Sequence, residues 1–201
     1  MPDQTSGALA WRPQIEMTKV ELDDFLSGRH IARVATNGAA GFPLVTPLWY
    51  LWDGVAVYLS VAESRLAGVN LLRDQRCAIL IDMDERPTLG MGSNMAKAVH
   101  ILGEAEIIRA EPGNTVLLEG GKYAGEQDAQ WTVGLITQRY NSQSHEGSVG
   151  FTFDDLVEQI AADAAHGSQS AKENAGRLVV KVKPRRLRSW DFSKAPFLRE
   201  P

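Results

Sequence analysis

Two hydroxyls and a guanidinium stand close enough in this chain to hold an anion: Ser60, then Ser64 and Arg65 just ahead of a helical pattern through Asn70, Leu71 and Leu72. A helix start offers unpaired N–H groups and the positive end of the helix dipole, and an arginine fork adds two parallel charge-assisted bonds. That set suits a phosphate monoester. The elements around it read as sheet. Pro43 to Trp52 is rich in β-branched and aromatic residues and stops at Asp53-Gly54, a strong hairpin signal, after which Val55 to Val61 resumes as a strand. Pro43 and Pro47 cannot donate to a ladder, so their strand is expected at an edge, or bulged where a flat ring system approaches. Arg76 to Ile81 returns to strand after the helix.

Elsewhere the pattern is readable in pieces. Thr18 and Glu21 have capping-box spacing for a helix over Lys19 to Ser27, ended by Gly28. Ile31 to Thr36 is a strand running into Asn37-Gly38-Ala39-Ala40-Gly41; with no following helix and no GK[ST] ending, these glycines make a hairpin turn and not a phosphate loop. Residues 82–96 combine Gly90, Gly92, Ser93 and Asn94 with Met91 and Met95, and are expected to form a loop covering a cofactor or substrate cleft. Lys97 stands at the start of a strand over Val99 to Ile108. Helix-forming stretches are expected around Thr115 to Glu119 and Ala129 to Tyr140, then an amphipathic helix from Phe151 to His166 and a flexible connection from Asp163 to Gly176. Segment 111–176 thus reads as a helical insertion before the last strand of a single domain covering 1–201.

Composition excludes several chemistries. A chain of 201 residues, 44% hydrophobic, can bury a core of ordinary size, and a net charge of −4 does not suit a nucleic-acid partner. The only cysteine, Cys77, lies in an apolar strand and reads as a small buried hydrophobe. No apolar run reaches the ~20 residues of a membrane span, and the N-terminus lacks a basic start followed by an apolar stretch; a soluble, cytoplasmic protein is expected. His30, His100, His145 and His166 form no HExxH and no close pair, so no metal site is expected. Neither Gly92-Ser93 nor Gly147-Ser148 sits in a GxSxG elbow, and no paired carboxylates stand in an apolar setting. The five tryptophans read mostly as core or interface fillers, with Trp49 and Trp190 the candidates for contact with a ring.

The ordered set of blocks carries a resemblance. RVAT, a Gly-x-Pro turn, VTPLWY, the Asp-Gly hairpin, YLS, a Ser-Arg loop, an Asn-Leu helix and CAILID resemble the pyridoxamine 5'-phosphate oxidase-like superfamily of flavin- and deazaflavin-binding split barrels. His100 to Ile108, with Gly103 at its centre, is similar to a strand of that family, and Val179 to Phe192 to its last strand, ending in Arg-x-x-Ser-Trp-Asp. The resemblance implies a mainly β (α+β) split β-barrel with short peripheral helices, a homodimer with shared cofactor sites, and two-electron hydride transfer to or from a small or planar organic substrate. The cofactor implied is flavin mononucleotide (FMN) or the 8-hydroxy-5-deazaflavin coenzyme. Backbone groups of Val45, Thr46, Pro47 and Leu48 would face its ring, with the Thr46 hydroxyl available. Ser60, Ser64 and Arg65 would hold its phosphate, and Trp190, with Lys97 from the partner chain, would close the site. No side chain need act as nucleophile, because the cofactor carries the chemistry.

Two departures stay open at this level. Where the family commonly reads Ser-Arg-Lys, this chain has Leu66, and losing one charge-assisted bond costs about 1.5–3 kcal/mol. Arg65, Arg73 or Lys97 could compensate; otherwise the chain prefers another cofactor, binds weakly or is a non-enzymatic relative. Because split-barrel relatives also bind haem, the alternative is a cofactor- or haem-binding module without turnover, with His100 or His145 as axial ligand.

Overall fold

Thr18 caps the first helix, α1 (Lys19–Ser27): its hydroxyl accepts from the Glu21 N–H while the Glu21 carboxylate accepts from the Thr18 N–H at 2.7 Å. The Lys194 ammonium and the Thr18 donors hold the Glu21 carboxyl down at about 2. The computed structural model describes residues 13–83, 96–121, 124–141 and 176–194. In chain order the further elements are β1 (Ala32–Asn37), β2 (Pro43–Leu48), β3 (Tyr50–Trp52), β4 (Val57–Ala62), α2 (Leu66–Arg73), β5 (Arg76–Met83), β6 (Lys97–Arg109), β7 (Thr115–Leu118), β8 (Gly125–Asp128), α3 (Ala129–Asn141) and β9 (Arg177–Asp191).

Seven of the strands form one antiparallel sheet in the order β2-β1-β5-β6-β9-β4-β3. Its two edge strands, β2 and β3, are separated in the chain by Trp49 alone. Laid flat, seven strands at ~4.8 Å spacing would put those edges about 29 Å apart, a gap one residue cannot span. The sheet therefore curls into a half-barrel. Gly103 marks a register shift between β6 and β9; a Cβ there would lie 2.6 Å from Val182 Cγ1 and 2.8 Å from the Lys183 carbonyl. The concave face buries Val34, Ile79, Ile81, Val99, Ile101, Val180 and Val182, closed by Leu22, Phe25 and Leu26 of α1 and by Ala67 and Leu71 of α2.

The stretch from Pro43 to Trp52 is not one strand of a hairpin. β2 pairs with β1, β3 pairs with β4, and the chain changes partner at Trp49. Pro43 and Pro47 do lie on an edge strand, as their missing N–H groups require. The second strand resumes at Val57 and not at Val55, because buried Asp53 folds residues 53–56 into a turn, accepting from the N–H groups of Val55 (2.9 Å) and Ala56 (2.8 Å) while Gly54 takes φ +91°.

The expected helix around Thr115 to Glu119 is instead strand β7, paired with β8. Val116 and Leu118 alternate with exposed neighbours and pack, with Val133 and Ile136 of α3, on the outer-face residues Tyr58 and Val179. A period of two over four residues, set by the surface beneath, overrode helix propensity. The helix over Ala129 to Tyr140 is present as α3. The expected helix at Phe151 to His166, the connection that follows it and the Met91–Met95 loop lie outside the described residues.

Cys77 faces the concave core. Burial pushes its thiol up to about 11, so thiolate is scarce at neutral pH. Native protein at pH 8 is expected to leave Ellman's reagent unreacted until urea unfolds it, whereupon one thiol per chain titrates; rapid labelling of the native protein would contradict this burial.

Candidate functional site

The site is assembled where the half-barrel nearly closes, between the end of β2 and the outer face of β4. Trp49, at the partner switch, stacks on Tyr140 of α3 with ring centroids 5.2 Å apart and planes 3° from parallel. Tyr140 is fixed in turn by its hydroxyl, which donates to the His30 carbonyl at 2.6 Å. On β4, Ser60 lies opposite Val179 and Ala62 opposite Arg177, so alternation puts Ser60 and Arg177 on one face. There Arg177 Nη1 donates to Ser60 Oγ at 3.3 Å. Thr137 of α3 forms the roof. Pro47, Leu48, Trp49, Ser60, Thr137 and Arg177 together line a pocket of about 180 Å³.

The placement of α3 follows from charge and burial. Asp128 Oδ1 accepts from the Trp131 N–H at 2.8 Å at the helix start. At the other end Arg139, only 4% exposed, donates to the Ser27 and Gly28 carbonyls at 2.6 Å each, which satisfies the C-terminal carbonyls of α1. Thr137 therefore sits over the pocket because two ends of a helix are pinned elsewhere.

Beyond Ser60 the chain turns into α2. The Glu63 N–H donates to the Gly176 carbonyl at 2.8 Å, and the Glu63 carboxylate is bound by Arg109 at 2.8 Å. Ser64 and Arg65 follow, both exposed, with Arg65 at the N-cap of α2. The helix start presses onto the end of β4: a Cβ at Gly68 would lie 2.5 Å from the Ala62 carbonyl oxygen. Only glycine permits that approach. Neither Arg65 nor Arg177 makes an ion pair with any described residue. Two guanidinium groups and two serine hydroxyls thus flank a single turn whose acidic residue is engaged by a third arginine. The arrangement can bind an oxyanion.

Of the residues singled out from the sequence, Pro47, Leu48 and Ser60 meet in the pocket, and Ser64 and Arg65 stand at the turn next to it. Strand alternation turns Val45 and Pro47 to the outer face, Val45 being 60% exposed, and Thr46 and Leu48 to the concave side. Lys97 and Trp190 lie together at the far end of β9 from Arg177. Lys97 pairs with buried Asp191 at 3.3 Å, whereas Trp190, opposite Ala98, points to the other face. Within one chain neither lines the pocket. Arg73, a possible substitute cation, donates to the Asn37 carbonyl. His100 is on the outer face between Leu80 and Arg188, and His145 lies outside the described residues. No group of metal-ligating side chains occurs among the described residues.

Arg177 and Thr137 were not legible as site residues. Arg177 belongs to no motif and opens a strand more than one hundred residues after Ser60; register alone brings the two together. An arginine directly before the apolar run Leu178-Val179-Val180 was the one available signal.

Comparison with known proteins is consistent with this geometry. A family model described as pyridoxamine 5'-phosphate oxidase matches residues 18–129, more than half of the chain. No curated protein matches. Among solved structures, a conserved hypothetical protein from Mycobacterium tuberculosis is 25% identical, covering 91% of this chain and 90% of its own, with a TM-score of 0.58. An F420 reductase is 15% identical over 82% of this chain and 94% of its own, with a TM-score of 0.51. An FAD and heme binding protein from Mycobacterium smegmatis is 14% identical over 89% of this chain and 73% of its own, with a TM-score of 0.57. The last two are likenesses of fold.

Proposed function

Because this chain belongs to the pyridoxamine 5'-phosphate oxidase family, we propose that it is a flavin- or deazaflavin-dependent oxidoreductase acting by two-electron hydride transfer on a small or planar organic substrate. The observation that carries the reading is the meeting of Pro47, Leu48 and Ser60 in one pocket with an arginine that has no carboxylate partner among the described residues. The donor set fits a phosphate-bearing cofactor, FMN or the 8-hydroxy-5-deazaflavin coenzyme. Ser60 and Ser64 supply hydroxyls, Arg65 an exposed guanidinium, and α2 the N–H groups of its first turn. A cofactor of this kind supplies the hydride chemistry when bound.

The chain's own residues bind, orient and exclude water. The edge strand β2 offers unpaired backbone groups over Val45 to Leu48 to a ring, with the Thr46 hydroxyl nearby. Trp49, locked by Tyr140, and Thr137 wall off solvent. The outer face of β2, β1, β5 and β6 exposes Val45 by 60% and Leu102 by 37%, which supports a homodimer in which the partner's Lys97 and the partner's Trp190 close the groove. We read 1–201 as one split-barrel domain with segment 111–176 inserted, a reading supported by the packing of β7 and α3 on the outer side of the sheet. No helix among the described residues is long and apolar enough to cross a membrane. Cytoplasmic location is part of the same proposal.

Titrating the protein separately with FMN and the deazaflavin coenzyme, followed by absorption and tryptophan quenching, tests it. One of them is expected to bind well below millimolar, a limit worth ~4 kcal/mol, and Arg65→Ala is expected to weaken that binding ten- to a hundredfold. Failure of both cofactors to bind below millimolar overturns the reading; a Soret shift with haemin in the same protein, lost in His100→Ala, would replace it with the haem-binding alternative.

A further inference from the structure

We propose that Arg177 and the Ser60 hydroxyl bound to it form a phosphate-binding subsite, and that Arg177 is the cation that takes the place of an ammonium at position 66. The proposal rests on the cofactor reading above and goes beyond it, since no motif marks Arg177.

Three observations support it. Arg177 is half-buried, lines the pocket and has Ser60 Oγ as its hydrogen-bond acceptor at 3.3 Å, with no carboxylate partner among the described residues. A partly desolvated guanidinium without a counter-charge is costly unless a ligand supplies the anion. Glu63, the acidic residue of the adjoining turn, is held by Arg109 at 2.8 Å and does not serve. Second, because Ser60 Oγ accepts from Arg177, the hydroxyl keeps its own proton to donate to a further acceptor. Third, the position is built: the Glu63 N–H donates to the Gly176 carbonyl at 2.8 Å, the Ala110 N–H to the Arg177 carbonyl at 2.9 Å, and Arg177 is in register with Ala62. The backbone of Arg177 is thereby held beside the turn that leads to Ser64 and Arg65, and its guanidinium reaches Ser60. The other two cations in question are engaged, Arg73 with the Asn37 carbonyl and Lys97 with Asp191. Leu66 itself is 69% exposed and apolar. Pro47, Leu48 and Trp49 add apolar side chains to the lining of the same pocket.

The test compares FMN with riboflavin, which has the same ring and no phosphate, by quenching of flavin fluorescence. If the deazaflavin coenzyme is the form bound, that coenzyme is compared with its phosphate-free chromophore. Arg177→Gln is expected to weaken FMN ten- to a hundredfold and to leave riboflavin within twofold. Ser60→Ala, which leaves the strand backbone intact, is expected to weaken FMN three- to tenfold with the same selectivity. Equal losses for both flavins, or none for FMN, overturn the subsite. If the unmodified protein binds neither cofactor, the oxidoreductase reading fails and inorganic phosphate decides the subsite alone. A change in tryptophan emission on adding phosphate, present in the unmodified protein and absent in Arg177→Gln, supports it; an identical response in both, or no response, overturns it.

Discussion

Asp53→Ala should cost about 3–5 kcal/mol of folding free energy in urea-unfolding measurements. Asp53 is 5% exposed, and its carboxylate gathers five donors. One oxygen accepts from the Val55 and Ala56 N–H groups at 2.9 and 2.8 Å. The other accepts from the Tyr58 hydroxyl at 2.7 Å and from the N–H groups of Glu119 and Gly120 at 2.8 and 3.1 Å. Removing the carboxylate strands backbone donors from two segments far apart in the chain. Asp53→Asn keeps the shape but turns an amide N–H toward groups that are themselves donors, so it should lose about 2 kcal/mol or more. An Asp53→Ala protein within 1 kcal/mol of the unmodified one would refute this account.

The effect should reach the pocket. Asp53 ties the β3–β4 turn to the end of β7, and β7 packs beside α3, which carries Thr137 and Tyr140. Burial, with Asp53 as acceptor, raises the Tyr58 phenol above its ordinary range, so it stays a donor wherever the protein is handled. The sign follows from linkage: the folded state keeps a proton that the unfolded chain releases near pH 10, so stability falls as pH rises above that point. Tyr58→Phe should flatten that alkaline loss.

The second large effect is expected at Lys181. Its side chain is 4% exposed, and Nζ lies 2.6 Å from Glu119 Oε1 and 3.6 Å from Glu106 Oε2. Lys183 binds the other Glu119 oxygen at 2.7 Å. Lys181→Met removes the cation from beneath the β7–β8 hairpin and leaves Glu119 with the more exposed lysine alone. A loss of about 2–4 kcal/mol is expected, toward the lower end of what breaking a buried pair costs because Lys183 remains. The double variant Lys181→Met, Glu119→Gln should recover part of it, since the charges then left without a partner, on Lys183 and Glu106, are the exposed ones. Lys181 and then Lys183 lower the Glu119 carboxyl from its ordinary value. Its contribution is therefore complete above the usual glutamate range and is lost as acid protonates it below that range. A Lys181→Met protein with unchanged midpoint and unchanged acid profile would show the pair to be energetically silent.

Much of the fold could be read directly because its signals are local. The Thr18–Glu21 box needs only three residues of spacing, and α1 spans Lys19–Ser27 as that spacing requires. Pro43 and Pro47 placed β2 at an edge, since a missing N–H has the same meaning in any context. The Ser-Arg turn into α2 stands where the helical pattern begins. The misreadings share a cause. The sequence of β7 reads as helix because four residues carry too little periodicity to outweigh propensity until a sheet surface selects alternation. The stretch from Pro43 to Trp52 reads as continuous because the change of partner at Trp49 leaves no mark in composition.

For the site, residue order alone determined which groups follow one another on one stretch of chain: an edge strand, then hydroxyls and a guanidinium at a helix start. What only the tertiary structure decided is which distant groups join them. Curling of the sheet brings the end of β2 to β4, β9 register sets Arg177 on the Ser60 face, and α3 lays Thr137 over both. Closure and register are collective properties of seven strands and one core, so no single segment encodes them, whereas a cap, a proline or a turn depends on its immediate neighbours and can be read from them.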